Sequence, residues 1–241
     1  MVTADRIPTR PARRRFAVLP VVLGTALGAA ACTGSDGGGS DAALSYASVR
    51  STAEQLGSQG GAACPFGLDL AAALKSAGID RTATPGAADA KAAEGEVAEA
   101  TAPVPWPSWI SPSPTTASAP GRPPSARVTC VWTVGSTPVQ LDLTAVPLDD
   151  VGVNMVLPSI QSAGEVSVDQ LSAIVTGRPK PGGKPLVTPG EGLAAIARVR
   201  AKGTGDIVLV LSQDSPDRPD RSLTGEPLGR LLDRLAGQIR S

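Results

Sequence analysis

The sequence predicts an α+β domain, in which an antiparallel sheet of about four or more strands is covered by helices and closed by one disulfide. Three observations in the 241-residue chain support this prediction. Apolar and polar residues alternate through 126–145, as in a hairpin with one buried face. A continuous apolar run at 207–211 suits a central strand, and an apolar stripe at helical spacing ends the chain.

The elements before the hairpin are predicted to be short helices followed by an insertion. Residues 44–56 have modest helical character, and 67–77 place apolar residues at near-helical spacing before Gly78, a plausible helix stop. Residues 80–125 are dominated by Ala, Pro, Ser, Thr and Gly, with repeated prolines. That composition cannot bury a core of its own, so we predict a disordered Pro/Ala-rich insertion at about 80–125.

The second half of the chain predicts the sheet and its last helix. Strands are expected at 128–134, 139–145, 193–202 and 206–213, with turns at 135–138 and 203–205. Residues 148–176 are ambiguous, because Pro158 interrupts a helical pattern, although 168–175 is a second helical candidate. Residues 178–190 are predicted to be a loop. The closing amphipathic helix has Pro227 in its first turn.

The amino-terminal segment is typical of an export signal. Arg13–Arg15 precede an apolar run, 16–31, that ends in small residues directly before Cys32. Its sixteen residues give about 24 Å of helix, short of the roughly 30 Å of a hydrocarbon core. In bacterial lipoproteins the cysteine after the cleavage site carries the lipid. We therefore predict a lipoprotein signal peptide at 1–31, palmitate or a related lipid on Cys32, and a flexible spacer at 32–43.

Alternatives to this signal stay open at the level of sequence. Ala29 stands where lipoprotein signals usually have Leu, and ordinary cleavage near Ala31 would leave a soluble protein with a free thiol. An uncleaved transmembrane anchor is a further alternative. The segment Arg13-Arg14-Arg15-Phe16 resembles a twin-arginine motif, so both the general and the twin-arginine export routes fit.

Charge and missing residue types exclude several function classes. Removing 1–31 takes five arginines and one aspartate from a chain with 22 basic and 22 acidic residues, which leaves a net charge of about −4. No basic stripe remains, so nucleic acid is not an expected partner. The chain has no histidine, which removes Ser-His-Asp and Cys-His nucleophiles and most catalytic zinc sites. We predict no enzyme activity, no cofactor and no metal site.

Three features superficially resemble functional motifs. The stretch 177–184 suggests a phosphate loop, but Pro185 stands where such a loop needs Ser or Thr. Asp149, Asp150 and Glu191 are weak acid–base candidates, and the adjacent aspartates are better placed to begin a helix. A third stretch mixes acids and bases, and its aspartates have a spacing of three, unlike a calcium loop. Its residues are Asp214, Asp217, Arg218, Asp220 and Arg221.

The tryptophans divide into two groups. Trp106 and Trp109 lie in a Pro-rich stretch and are candidate partner-binding residues, since stiff extended chain loses little entropy on binding. Alternatively they fold back over the apolar edge of the sheet. Trp132 shares the hairpin's apolar face with Cys130 and is predicted to lie in the core.

The cysteines predict one disulfide bond. If Cys32 is lipidated, Cys64 and Cys130 remain, and two free thiols outside the cell would usually oxidise together. The bridge would contribute roughly 4 kcal/mol by the chain-entropy model. The alternative is a pair of independent buried thiols.

Several of these features together resemble a known family. Cys64 before a short helix, the strand around 130–132, the turn at 190–192 and the last helix are similar to a family of actinobacterial secreted lipoproteins. The resemblance covers roughly 60–79 and 126–240. It implies a two-cysteine α+β domain with a Cys64–Cys130 bridge, a cell-envelope location and a likeness to extracellular sensor domains of membrane kinases, with no assigned function and no catalytic residues.

The function expected from the sequence is a non-enzymatic binding or scaffold domain, anchored through Cys32 to the outer face of the cytoplasmic membrane. Its expected partners are the membrane and an unidentified envelope protein or small ligand. One alternative is a ligand-binding sensor accessory of a membrane kinase or transporter, which predicts a concave apolar pocket. Another is a carboxylate-based wall-glycan hydrolase, which predicts two acidic side chains in one cleft.

Overall fold

The structure is a computed structural model that describes residues 44–87, 90–106, 118–213 and 219–240. The predicted signal peptide, Cys32, the spacer and Trp109 lie outside these residues. Within them, no helix combines the length and the apolar character that crossing a membrane requires.

A seven-stranded antiparallel sheet organises the described residues. Its strands are β1 Ala83–Pro85, β2 Ala93–Ala98, β5 Ser125–Val134, β6 Thr137–Val146, β7 Leu186–Val187, β8 Ala194–Val199 and β9 Asp206–Gln213. The order across the sheet is β1-β5-β6-β9-β8-β7. β2 pairs with the same edge of β5 as β1 does, but with the earlier residues of β5. Two short strands, β3 Val104–Pro105 and β4 Ser118–Ala119, pair with each other. The antiparallel sheet confirms the predicted fold class.

Helices cover both faces of the sheet. They are α1 Tyr46–Leu56, α2 Leu70–Ser76, α3 Gly152–Gly164, α4 Val168–Thr176 and α5 Glu226–Arg240. The main core lies between one face and α1, α2 and α5, whereas α3 and α4 pack with a smaller cluster on the opposite face. Trp132 is buried in the main core, as predicted.

Local capping explains where three of the helices begin. Ser45 and Ser48 form a reciprocal capping box at the start of α1, and Ser167 and Gln170 form another at α4. The Asp69 carboxylate accepts a hydrogen bond from the Ala72 amide at the start of α2. These side chains satisfy amides that the helix itself leaves without acceptors.

A disulfide joins Cys64 to Cys130, as predicted, with a Cα–Cα distance of 5.5 Å. Cys64 lies in the connection between α1 and α2, and Cys130 is buried on β5 beside the main core. The bridge therefore ties the connection between the first two helices to the sheet, across a sequence separation of 66.

The prediction of a disordered insertion at 80–125 was wrong for much of that range. Residues 83–85 and 93–98 form β1 and β2, and the β2–β5 hairpin continues outward in the same register through Thr101 and Arg122 to β3 and β4. Composition predicted only that the segment could not bury a core of its own. Backbone pairing with β5 needs no such core, because it uses main-chain groups of any residue type.

The ambiguous stretch around Pro158 is a helix that contains this proline. The buried residues Val153, Val156 and Ile160 repeat at helical spacing against the sheet, while Pro158 lies on the exposed side. Burial of this stripe offsets the hydrogen bond that the proline cannot donate. The predicted loop at 178–190 contains the short edge strand β7.

We predict that removing the disulfide destabilises the domain without changing its fold. The Cys64→Ala/Cys130→Ala variant should lose about 2–4 kcal/mol of unfolding free energy, because the unfolded chain gains the entropy of an open loop. Urea denaturation followed by circular dichroism measures the loss. Cys32→Ala, which leaves the bridge intact, is the matched control, and equal urea midpoints for all three proteins would contradict a stabilising role.

Candidate functional site

The face of the sheet that carries α3 is divided into an apolar half and a polar half. Ile196 on β8 and Val208 and Val210 on β9 pack against α3. The neighbouring strands β5 and β6 present polar side chains on the same face. These are Arg127, Thr129, Gln140, Asp142 and Thr144.

The strand register shows where the division falls. Asp142 on β6 lies opposite Thr129 on one side and Val210 on the other. In the next row Thr144 lies between Arg127 and Val208. The change from polar to apolar therefore occurs between β6 and β9. Because α3 packs on the apolar half, its flank borders the polar strands and leaves a groove beside it.

We call this feature the α3 groove. One part of it has a volume of about 500 Å³ and is bordered by Asp142, Gln140 and Ser212 from the sheet and by Ser159 and Ser162 from α3. An adjoining part of about 240 Å³ lies toward the outer end of the β2–β5 hairpin, and its lining includes Glu96, Glu99, Thr101, Arg122 and Met155. Arg127 and Ser159 border both parts.

Asp142 is the buried acid of the groove. Its residue is 4% exposed, and each carboxylate oxygen accepts one hydrogen bond from an uncharged donor. The Thr129 hydroxyl donates to Oδ1 at 2.6 Å, and the Gln140 amide donates to Oδ2 at 2.9 Å. These partners orient the carboxylate and hold it at the floor of the groove.

Two ion pairs lie near the outer part of the groove. Arg127 donates to Glu96 from the neighbouring strand, and Arg50 on α1 donates to Glu99 at 2.5 Å. All four side chains are about a third or more exposed, so these pairs contribute little to stability. Their consequence for the site is that both groove glutamates already have arginine partners.

A buried charge cluster determines the position of α3. Arg198 on β8, with a side chain 5% exposed, donates to Asp206 at 2.9 Å and to Asp150 at 2.7 Å. The other oxygen of Asp206 accepts the Gly152 amide at the start of α3. A Cβ at Gly152 would approach Val208 Cγ2 to 2.7 Å, so only glycine allows this close contact.

The cluster also shifts two pKa values. The hydrogen bond from Arg198, and then its charge, lower the pKa of Asp150. Burial lowers the pKa of Arg198, but the hydrogen bonds to Asp206 and Asp150 outweigh it and raise the pKa above its ordinary value. The guanidinium stays charged inside the fold, with Asp206 as its buried counter-charge and Asp150 as a more exposed second partner.

The predicted acidic candidates have structural roles. Asp149 and Asp150 do not begin α3 as expected: Asp149 accepts the Gly205 amide, and Asp150 adopts φ 61° and pairs with Arg198. Asp206, remote in sequence, accepts the amide at the helix start instead. Glu191 is exposed in its turn.

Of the remaining candidates, those within 214–218 and Trp109 lie outside the described residues, and the described ones do not border the groove. Asp220 accepts from the Ser222 hydroxyl and amide, and these bonds, with a contribution from Arg81, lower its pKa. Trp106 is half-buried, and its indole N–H is buried with no acceptor among the described residues. Among the described residues, no group of three or more His, Cys, Asp or Glu side chains could hold a metal ion.

The polar half of the sheet face was missed by the sequence analysis. The signal was present, because Arg127, Thr129, Gln140 and Asp142 are the polar members of the alternation that predicted the hairpin. A polar outer face normally faces water. Only the position of α3 converts it into the wall of a groove.

Comparison of this chain with known protein families, curated proteins and solved structures finds no match.

We predict that Asp206→Asn destabilises the domain strongly. Arg198 would keep a buried charge without its buried counter-charge, at a cost of about 3–5 kcal/mol. Thermal and urea unfolding of the full chain measure the effect. Asp150→Asn is the control: its side chain is 60% exposed, and asparagine tolerates the same positive φ, so its effect should be much smaller. Equal losses in the two variants would contradict the assignment of Asp206 as the buried anchor.

Proposed function

We propose that the chain is a cell-envelope lipoprotein whose domain binds a polar extracellular ligand or partner, without chemical turnover, in the α3 groove. The observation that supports this most directly is a groove between α3 and the sheet with an oriented, buried carboxylate on its floor. The lipid on Cys32 would hold the domain at the outer face of the cytoplasmic membrane.

The proposed location is supported by two independent features. The amino-terminal segment has the charge, length and small-residue ending of an export signal directly before Cys32. The Cys64–Cys130 bridge, in turn, is typical of proteins that fold in oxidising compartments. The resemblance to actinobacterial lipoproteins stays a prediction.

The proposed binding role is supported by the size and construction of the groove. A volume of about 500 Å³ lies within the range of small-molecule sites. Its walls are α3 and the strands β5, β6 and β9, and the start of α3 is held by a buried charge cluster. Sites on such elements keep their geometry better than sites on loops.

The chemical character of the groove distinguishes the candidate functions. A sensor accessory was expected to have an apolar pocket, whereas this groove is bordered largely by hydroxyl, amide and charged side chains, so a sensor role would require a polar ligand. A wall-glycan hydrolase was expected to place two acids in one cleft. Glu96 and Glu99 do share a cavity, but each already has an arginine partner. We therefore propose binding without catalysis.

The anchor predicts incorporation of lipid at one residue. Cells fed radiolabelled palmitate should label the wild-type protein, and Cys32→Ala should carry no label, because its side chain has no sulfur for the thioether. Immunoprecipitation and autoradiography of the membrane fraction measure the difference. Cys64→Ala/Cys130→Ala serves as the control and should label normally. Equal labelling of the Cys32→Ala variant would rule out the anchor.

The groove predicts that a bulky side chain on one flank of α3 blocks partner binding. Ser162 borders the groove, whereas its neighbour Gln161 is exposed and does not. In intact cells, Ser162→Trp should lose most of the crosslinked product formed by the wild type, and Gln161→Trp should keep it. Crosslinking followed by mass spectrometry measures both. Undiminished crosslinking of the Ser162→Trp variant to the same partner would place the binding surface elsewhere.

A further inference from the structure

Two buried carboxylates lie on the same face of the sheet and are satisfied differently. Among the described residues, Asp142 and Asp206 are the only acids that are less than 9% exposed. Asp206 has a cationic partner, Arg198, in addition to the Gly152 amide. Among the described residues, Asp142 has only the uncharged donors Thr129 and Gln140. One buried acid thus has a cationic hydrogen-bond partner, and the other has none among the described residues.

This difference matters because an uncompensated buried charge is costly. Hydrogen bonds from a hydroxyl and an amide orient a carboxylate but supply no opposite charge. A carboxylate has about four lone-pair sites, and the two donors at Asp142 use one site on each oxygen. Capacity for further donors remains on a side chain that borders the larger part of the groove.

The cation that borders the same cavity does not pair with Asp142 by a hydrogen bond. Arg127 lies one register row away on β5 and borders the same cavity. Its guanidinium donates to Glu96 on the opposite side, away from β6. Arg127 therefore pairs with Glu96, and the Asp142 carboxylate has no cationic hydrogen-bond partner among the described residues.

The lining selects among cationic groups. A primary ammonium donates three hydrogen bonds, and the cavity offers Asp142 together with the hydroxyls of Ser159, Ser162 and Ser212. Quaternary ammonium groups are recognised by aromatic cages, and none of the described residues bordering this cavity is aromatic. The volume of about 500 Å³ suits a small molecule.

We propose that the α3 groove contains an ammonium subsite at Asp142, which binds a small ligand through a primary amine. The ammonium pairs with the Asp142 carboxylate and donates its remaining hydrogen bonds to hydroxyls of α3 and β9. The uncharged remainder of the ligand lies along the polar strands β5 and β6. This assignment deepens the proposed binding function and rests on it.

The test uses the full chain in detergent micelles and a simple amine as the probe. Monoacetylated cadaverine carries one ammonium and one amide, and its alcohol analogue has the same shape without the charge. Isothermal titration or NMR titration should show binding of the amine and at least about tenfold weaker binding of the alcohol, since a hydrogen-bonded charge pair is lost.

Matched variants locate the subsite. Asp142→Asn should weaken amine binding about tenfold or more, whereas Glu191→Gln, which removes an exposed carboxylate, should leave it unchanged. Ser162→Trp should block binding from the helix side, and Gln161→Trp should not. Because Ser162 is exposed, its variant tests the site even if Asp142→Asn fails to fold.

The outcomes separate this assignment from the proposed function. Amine binding that requires Asp142 and an open groove supports the subsite. Equal binding of the alcohol, or amine binding unchanged in the folded Asp142→Asn or Ser162→Trp variants, overturns it. If amines fail to bind while Ser162→Trp still abolishes crosslinking in cells, the ammonium assignment is wrong and the groove keeps its binding role.

Discussion

The ion pair between Arg198 and Asp206 is the constraint on which the site depends. It lies on the face of the sheet that carries α3, and the second oxygen of Asp206 accepts the amide at which α3 begins. A buried arginine and a buried acid hold each other in one geometry, because separating them would strand a charge in a medium of low dielectric constant. This contact fixes the start of α3 and therefore the position of the groove beside the helix.

The groove exists because one sheet face has two kinds of surface. The apolar stripe of α3 packs against valines and an isoleucine on β8 and β9, and three side chains of α3 are buried in this contact. The polar side chains of β5 and β6 offer no such gain, so the helix does not extend over them. What remains is a half-covered strip whose floor includes Asp142, a carboxylate without a cationic partner among the described residues.

Elements with strong local signals were predictable. Alternation located β5 and β6, the apolar run located β9, and the last amphipathic stripe located α5. The stretch around Pro158 was ambiguous, because a local rule against proline competed with a buried stripe that only the sheet can satisfy. The segment 83–98 was mistaken for disorder, because β-pairing with a distant strand leaves no periodic trace in an Ala- and Gly-rich sequence.

The sequence by itself determined the chemistry available to this protein. The alternation of polar and apolar residues predicted the fold class, and the cysteine count predicted the disulfide. The lack of histidine removed the nucleophiles and zinc sites that depend on it. Only the tertiary structure decided which polar groups meet. Arg198 finds Asp206 and Asp150, which are 8 and 48 residues away, because strand register and helix packing bring these side chains together. Among the described residues, Asp142 receives only neutral donors. Local sequence carries no information about such pairings, since they depend on the position of every element at once.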